Sequence, residues 1–424
     1  DAGGFGTSGS DNVISCGSFT TTAGGAIPTV TLGYEPQYLM FKCSSAAGNW
    51  NIIDTMRGFS QTQTLELFPN SSTTETDFGI VARPTATGFT SGDEVLAGSA
   101  TFIYMAIRRG PMKVPTLGTS VYSNVTRNTT GANATIDATI TPVDLMISVD
   151  RNAVDGQGPL WFDRLRGATK FLRSPSSDSE ITASDTLTGF DVQNGYRLGA
   201  DAGQYGINSS PAKPVVYWNF KRAPGFFDEV CYTGTGSART VAHNLTVVPE
   251  LMIVKSRSSA VSWGVYTAPT GATNRLLLNS NTNSSASTSF WNDTAPTSSV
   301  FTVGTNGSVN GSGNTYVAYL FATCAGVSKV GSYTGNGGTQ TINCGFTGGA
   351  RFVLIKRTDD SGDWYVYDTA RGMVSGTDPF LLLNTTDAEV NQNDVFTTTT
   401  GFQLVSAFNG TNRNAASYIF LAIA

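Results

Sequence analysis

A chain of 424 residues has room for several domains, and this one is charged at only 13% of its positions, about half the usual share, with 40% hydrophobic and 11% aromatic residues. So little charge beside abundant Gly, Thr, Ser and Asn fits extracellular β-rich proteins and argues against a cytosolic helical enzyme. The formal charge of -5 comes without any Lys/Arg cluster, and no run approaches the roughly 18 apolar residues of a membrane span, so neither a nucleic-acid partner nor membrane insertion is expected.

The elements come in four passes, after a Gly-rich linker at 1–10. The first, 11–112, opens on Ser18-Phe19-Thr20 and has a strand-like apolar run at 38–42 ending in Lys42. A turn with Asn49-Trp50 follows, then Asp54-x-x-Arg57-Gly58, Leu65-Glu66-Leu67-Phe68, Gly88-Phe89 and a closing aromatic-rich run at 102–107. The second, 113–226, repeats this as Val121-Tyr122, 145–149, Trp161, Asp163-x-x-Arg166-Gly167, Phe171-Leu172, Gly189-Phe190 and 215–220. In the third, 227–327, Tyr232, 251–255, Trp263, Leu276-Leu277-Leu278, Val300-Phe301 and 316–321 stand in the same order. There Thr267, Thr270 and Gly271 replace the Asp-x-x-Arg-Gly signature. The fourth, 328–424, has Tyr333, 352–356, Trp364, Asp368-x-x-Arg371-Gly372, Leu381-Leu382-Leu383-Asn384, Gly401-Phe402 and 418–423.

A period of roughly 100 residues is that of a small domain, not of a solenoid turn. Within each pass, runs of four to seven β-branched and aromatic residues are separated by Gly, Asp, Asn and Thr clusters, and none shows helical periodicity. The prediction is all-β: four tandem homologous β-sandwich domains, jelly-roll or lectin-like, with very little helix. Alternation places Trp364, Val366 and Asp368 on one face of a strand.

The signature reads first as structure. An Asp ending a strand can accept backbone N–H bonds, the following glycine can take positive φ, and the arginine can close the turn onto the carboxylate, so Asp54/Arg57, Asp163/Arg166 and Asp368/Arg371 are expected to be turn locks. A glycan or anion site is the functional alternative. Trp50, Trp161, Trp263 and Trp364 are taken as recurring at one repeat position, as core anchors do, and Trp218, aligned with Met105, Tyr319 and Leu421, is also read as core. Trp291 lies in a polar segment, 281–299, beside Asn292 and Asp293, and is the best candidate for an exposed indole stacking on a sugar.

Signals for chemistry are few. His243 is the sole histidine and leads into a strand, no metal-spaced Cys/His motif occurs, and no nucleotide-binding fingerprint is present, so no enzyme and no cofactor are expected. Asp359, Asp360 and Asp363 cluster at a hairpin and could ligate calcium through oxygen, although a solvated tip is the favoured reading. The five cysteines do not follow the repeat and are read as small buried hydrophobes, with Cys16–Cys43 or Cys324–Cys344 bridges as the alternative.

The succession of an apolar run ending in Lys, a Gly-Asp-Trp or Gly-Asn-Trp turn, Asp-x-x-Arg-Gly, Leu-Leu-Leu-Asn and a closing Tyr-Val-Ala-Tyr-Leu-Phe run resembles the tandem domains of tail-fibre and other virion-surface proteins of tailed, especially marine, bacteriophages. The segments 238–255 and 291–298 carry this most closely. The resemblance implies a structural or host-recognition role at the virion surface: a spacer, other virion proteins as partners, host-surface glycan as ligand, and self-association, most simply as a trimer. A capsid-decorating protein, a secreted bacterial lectin or adhesin, and a glycan depolymerase are the alternatives.

Overall fold

The computed structural model describes residues 12–153 and 155–424, so the linker expected at 1–10 lies outside the described residues. Each unit is a two-layer antiparallel β-sandwich. Its opening strand (Ile14–Thr20, Tyr122–Asn128, Phe227–Thr233, Ser328–Thr334) pairs along seven residues with its closing strand (Thr101–Arg108, Pro214–Phe220, Thr315–Phe321, Ser417–Ile423). The closing strand then pairs with the apolar run of the sequence (Pro36–Cys43, Leu145–Asp150, Leu251–Ser256, Phe352–Arg357), which pairs with the strand leading to the signature (Trp50–Asp54, Leu160–Asp163, Gly264–Thr267, Trp364–Asp368). A smaller sheet of two or three strands covers one face of this main sheet. Helix is confined to the single turns Thr288–Trp291, Gly307–Asn310 and the 3-10 turn Gly118–Ser120 among the described residues, and no helix there is long and apolar enough to cross a membrane.

Each sandwich has its own core between its two layers: Phe41 and Phe89 in unit 1, Phe162 and Tyr217 in unit 2, Val254 and Phe301 in unit 3, Tyr367 and Phe402 in unit 4. A fifth cluster belongs to no single unit. It gathers the outer main-sheet faces of units 2, 3 and 4, with Trp161, Trp218, Trp263, Tyr319, Phe321, Phe352, Trp364 and Leu421 in one apolar body. Phe220 of unit 2 lies 5.8 Å from Phe321 of unit 3 and 5.9 Å from Phe352 of unit 4.

Both faces of these main sheets are therefore buried. Leu251–Ser256, Phe352–Arg357 and Trp364–Asp368 are buried at every residue, as near-continuous apolar runs require. In unit 1 the equivalent strand Pro36–Cys43 alternates, with Leu39, Phe41 and Cys43 inward and the other face half-open. Strand register also corrects the tryptophan alignment. Trp50 and Trp364 pair with Lys42 and Lys356, four residues before the signature Asp, whereas Trp161 pairs with Ile147, two residues before Asp163. Trp161 thus stands where the other units have Ile52, Val265 and Val366.

Candidate functional site

The signature turn is a local lock with a second, intermolecular-like half. In unit 4, Asp368 accepts the Arg371 backbone N–H at 3.1 Å and its Nε at 2.5 Å, Arg371 Nη2 donates to the Val366 carbonyl at 2.8 Å, and Gly372 has φ of 108°. Unit 2 repeats this: Asp163 accepts from Arg166 N at 2.7 Å and pairs with Arg166 Nε, and Arg166 Nη2 reaches the Trp161 carbonyl at 2.7 Å. The remaining valences are filled from neighbouring units. Tyr319 of unit 3 donates its hydroxyl to Asp163 at 2.7 Å, and Trp218 of unit 2 donates Nε1 to Asp368 at 2.8 Å.

Each arginine also starts a relay across the seam. Arg166 binds Glu180, which binds Arg257 of unit 3 at 2.9 and 3.0 Å. Arg371 binds Glu389, which takes Arg151 of unit 2 at 2.9 and 2.6 Å. Burial pushes the Glu180 carboxyl up, but Arg166 and Arg257 outweigh it and hold the group below the ordinary carboxylate range. Unit 3 contacts unit 2, unit 2 contacts unit 4, and unit 4 closes the ring on unit 3.

Among the described residues no ion pair crosses this third seam. Thr267 and Thr270 bond to each other at 2.8 Å where the other units have Asp and Arg, and the facing closing strand brings Leu421, which has no donor. An unpaired carboxylate at that position is costly to bury, so the missing signature of unit 3 follows from its neighbour's leucine. What the three seams share is backbone bonding: Glu180 N to Arg257 O, Glu389 N to Arg151 O and Ser284 N to Thr358 O. The tryptophans act here too. Trp263 Nε1 donates to the Ser176 carbonyl of unit 2 at 3.0 Å, and Trp364 Nε1 to the Leu277 carbonyl of unit 3 at 2.9 Å. They anchor seams between units, where an anchor inside each unit's own core was expected. The displaced Trp161 instead packs on Trp263 at 5.4 Å and Tyr319 at 5.2 Å, leaving its Nε1 without an acceptor.

Unit 1 sits on the end of this ring through a buried charge network. Glu35 takes Arg222 in a two-pronged bond at 2.8 and 2.7 Å, Arg222 also binds Asp228, and Arg109 pairs with Asp144 at 2.8 Å. Glu229 lies beside them, fully buried, 3.9 Å from Arg222 and without a hydrogen-bond partner; burial and then the Asp163 charge hold its carboxyl well above the ordinary range. Clefts of 270 Å³ and 580 Å³ flank the junction, the larger lined by Tyr38, Met56, Asp144, Gln193 and Lys221. Only the fold brings Glu35 and Arg222, 187 positions apart, together with Asp228 and Glu229.

Of the predicted binding residues, Trp291 is enclosed. It is 0% exposed, packed on Tyr266 at 6.0 Å and on Phe290. The one-turn helix Thr288–Trp291 dips into the core because Gly264 leaves it room: a Cβ there would meet Phe290 at 3.0 Å and Val309 at 2.8 Å. Asn292 and Asp293, at φ of 51° and 49°, turn the chain back outward and are exposed. The exposed stacking indole is thereby replaced by a core residue. Asp359 is engaged by Arg357 at 2.9 and 3.0 Å and by the Ser417 N–H, Asp360 also faces Arg357, and Asp363 accepts from Asn384 at 2.7 Å, so the three carboxylates are spent separately and make no cage for calcium.

His243 is buried, its Nε2 on the Thr297 carbonyl at 3.1 Å and its Nδ1 accepting from Leu245 N at 3.2 Å; burial lowers its pKa, keeping the ring neutral. All five cysteines are free. Cys43, Cys324 and Cys344 are buried as expected, while Cys16 is exposed because it lies on the open face of unit 1.

Seen chemically, the conspicuous residues hold units together. No curated protein matches the chain. A family profile does, over residues 14–111 and 118–424, and its gap falls on the connection between unit 1 and the ring. The chain belongs to the family described as a domain of unknown function, DUF7483.

Proposed function

We propose that this chain is a non-catalytic structural protein of a phage virion, in a fibre or surface appendage, in which the three-unit ring is a rigid block and the polar loops meet the host surface. The observation that supports this most is where the repeated side chains are spent: Trp263, Trp364, Asp163, Arg166, Asp368 and Arg371 are buried between units and leave no site behind. A scarcity of charge suits a protein whose ring units have main sheets covered on both faces. Weak, repeated contact with host glycan falls in this reading to loop side chains such as Asn292 and Asp293. Gold-labelled antibody against the chain should decorate an appendage of purified particles. Label confined to the medium of uninfected cells would make this a secreted bacterial protein instead.

A further inference from the structure

The main-sheet face that units 2, 3 and 4 bury in the ring is open in unit 1. Ile14, Ile103 and Leu67 are 57%, 42% and 37% exposed. Register shows which ring unit this face copies. Lys42, Trp50, Asp54 and Met105 occupy the positions of Lys356, Trp364, Asp368 and Leu421. Arg57 bonds Asp54 at 2.6 Å and Glu75 at 3.0 Å, as Arg371 bonds Asp368 and Glu389. No other unit shares the whole set. Unit 3 has Thr267 for the Asp and Tyr319 for the closing-strand residue, and unit 2 has Val149 for the Lys and Trp218 for that residue.

We propose that unit 1 is the last third of a second ring, and that its open face receives a polypeptide segment of two further sandwich units, one with the seam residues of unit 2 and one with those of unit 3. The code of unit 4 states what those partners must carry. Toward Asp54 and Glu75 it requires an N–H or O–H donor on a closing strand and an arginine, as Trp218 and Arg151 supply to Asp368 and Glu389. Toward Met105, Trp50 and Lys42 it requires a neutral residue like Thr267 and backbone carbonyls like those of Leu277 and Asn281. Three copies of unit 1 do not satisfy this, because each would set Met105, which has no donor, against the Asp54 carboxylate. The face carries Lys42, Arg57, Asp54 and Glu75, so its charge balances and a like-built partner meets no net repulsion. This inference is independent of the virion role.

The exposed Cys16 thiol reports on the face, since it pairs with Met105 where Val330, buried in the ring, pairs with Leu421. In the chain as it stands, Cys16 should react with a maleimide at the rate of an open thiol, and native mass measurement should give a monomer. Placing a second copy of residues 118–327 directly before residue 12 supplies the two missing partners in the order that precedes unit 4. Cys16 labelling should then slow by a factor on the order of ten or more, because local opening becomes the route to the thiol. Unchanged labelling in a folded fusion overturns the proposal, and so does a stable trimer of the unfused chain with Cys16 protected. Ile103→Lys in the unfused chain keeps the question answerable if the fusion does not fold: melting temperature and mass should be unaffected, and a shift in either means the face is already in use.

Discussion

Units 1 and 4 carry the same turn in two environments. Asp54 and Arg57 are 24% and 22% exposed, Asp368 and Arg371 are both 0%, and the bonding within the turn is alike. What differs is the neighbour. In unit 4 the carboxylate is also held by Trp218 Nε1 and by Asn124 at 3.3 Å, and the arginine lies 5.6 Å from the Trp218 ring. Identical residues thus form a surface ion pair in one place and a keystone in the other, and motif recurrence alone says nothing about how much each copy contributes.

The largest effect should separate these two. Asp368→Ala takes one carboxylate from the buried Arg371, leaving it Glu389, and unpairs the Trp218 and Asn124 donors, and should destabilise the ring by about 3 to 5 kcal/mol, whereas Asp54→Ala should cost under about 1 kcal/mol. Chemical denaturation of the two variants checks this, and equal losses would dissolve the distinction. Next comes the seam hydroxyl. Tyr319→Phe leaves Asp163 short of one donor and should cost about 1 to 3 kcal/mol, while Thr267→Val in the seam without an ion pair, which removes a bond made only to Thr270, should cost less.

Acid should sharpen the contrast further. The lowered pKa of Glu180 contributes stability that is present above its ordinary value of 4.5 and lost as pH falls through the depressed folded value. Wild type should therefore lose more thermal stability than Glu180→Gln between pH 6 and pH 3; parallel curves would show the Arg166–Glu180–Arg257 relay to be energetically idle. The smallest effect belongs to unit 1 and has the opposite sign. Burial, then Glu94 and Asp77, raise Glu66 to about 7, so its contribution is full below 4.5 and is lost as pH rises through about 7. A fall in the unit 1 transition between pH 5 and pH 7, absent in Glu66→Gln, is expected.

How much of this was legible follows from where each residue's partner sits in the chain. Sandwich units and signature turns depend on near neighbours and period-two alternation, and both are visible in Trp364 to Asp368. The seams join Asn124 to Asp368 and Tyr319 to Asp163, 244 and 156 positions apart, and nothing in the spacing of either residue points to the other. One clue was available. The apolar runs at 251–255 and 352–356 do not alternate, whereas Pro36–Cys43 does, and a sheet covered on one side needs only alternation. The misplacement of Trp161 was also legible, two residues before its Asp where Trp50 and Trp364 stand four before theirs. For Trp291 the polar neighbours misled. The room for its one-turn helix is made by a glycine at position 264, where Phe290 packs, so local polarity carried no information about the direction of the indole.

The ring has a consequence for biosynthesis. Trp218 of unit 2 bonds Asp368 of unit 4, 150 positions later, so part of the aromatic face of unit 2 emerges from the ribosome well before the surface that will cover it. Until then Trp218 and the side of Phe220 that meets Phe352 stand on an open sheet. A product truncated between units 3 and 4 would keep its complete sandwiches yet present that sheet to every other nascent copy, making loss of unit 4 a defect of solubility before it is one of shape.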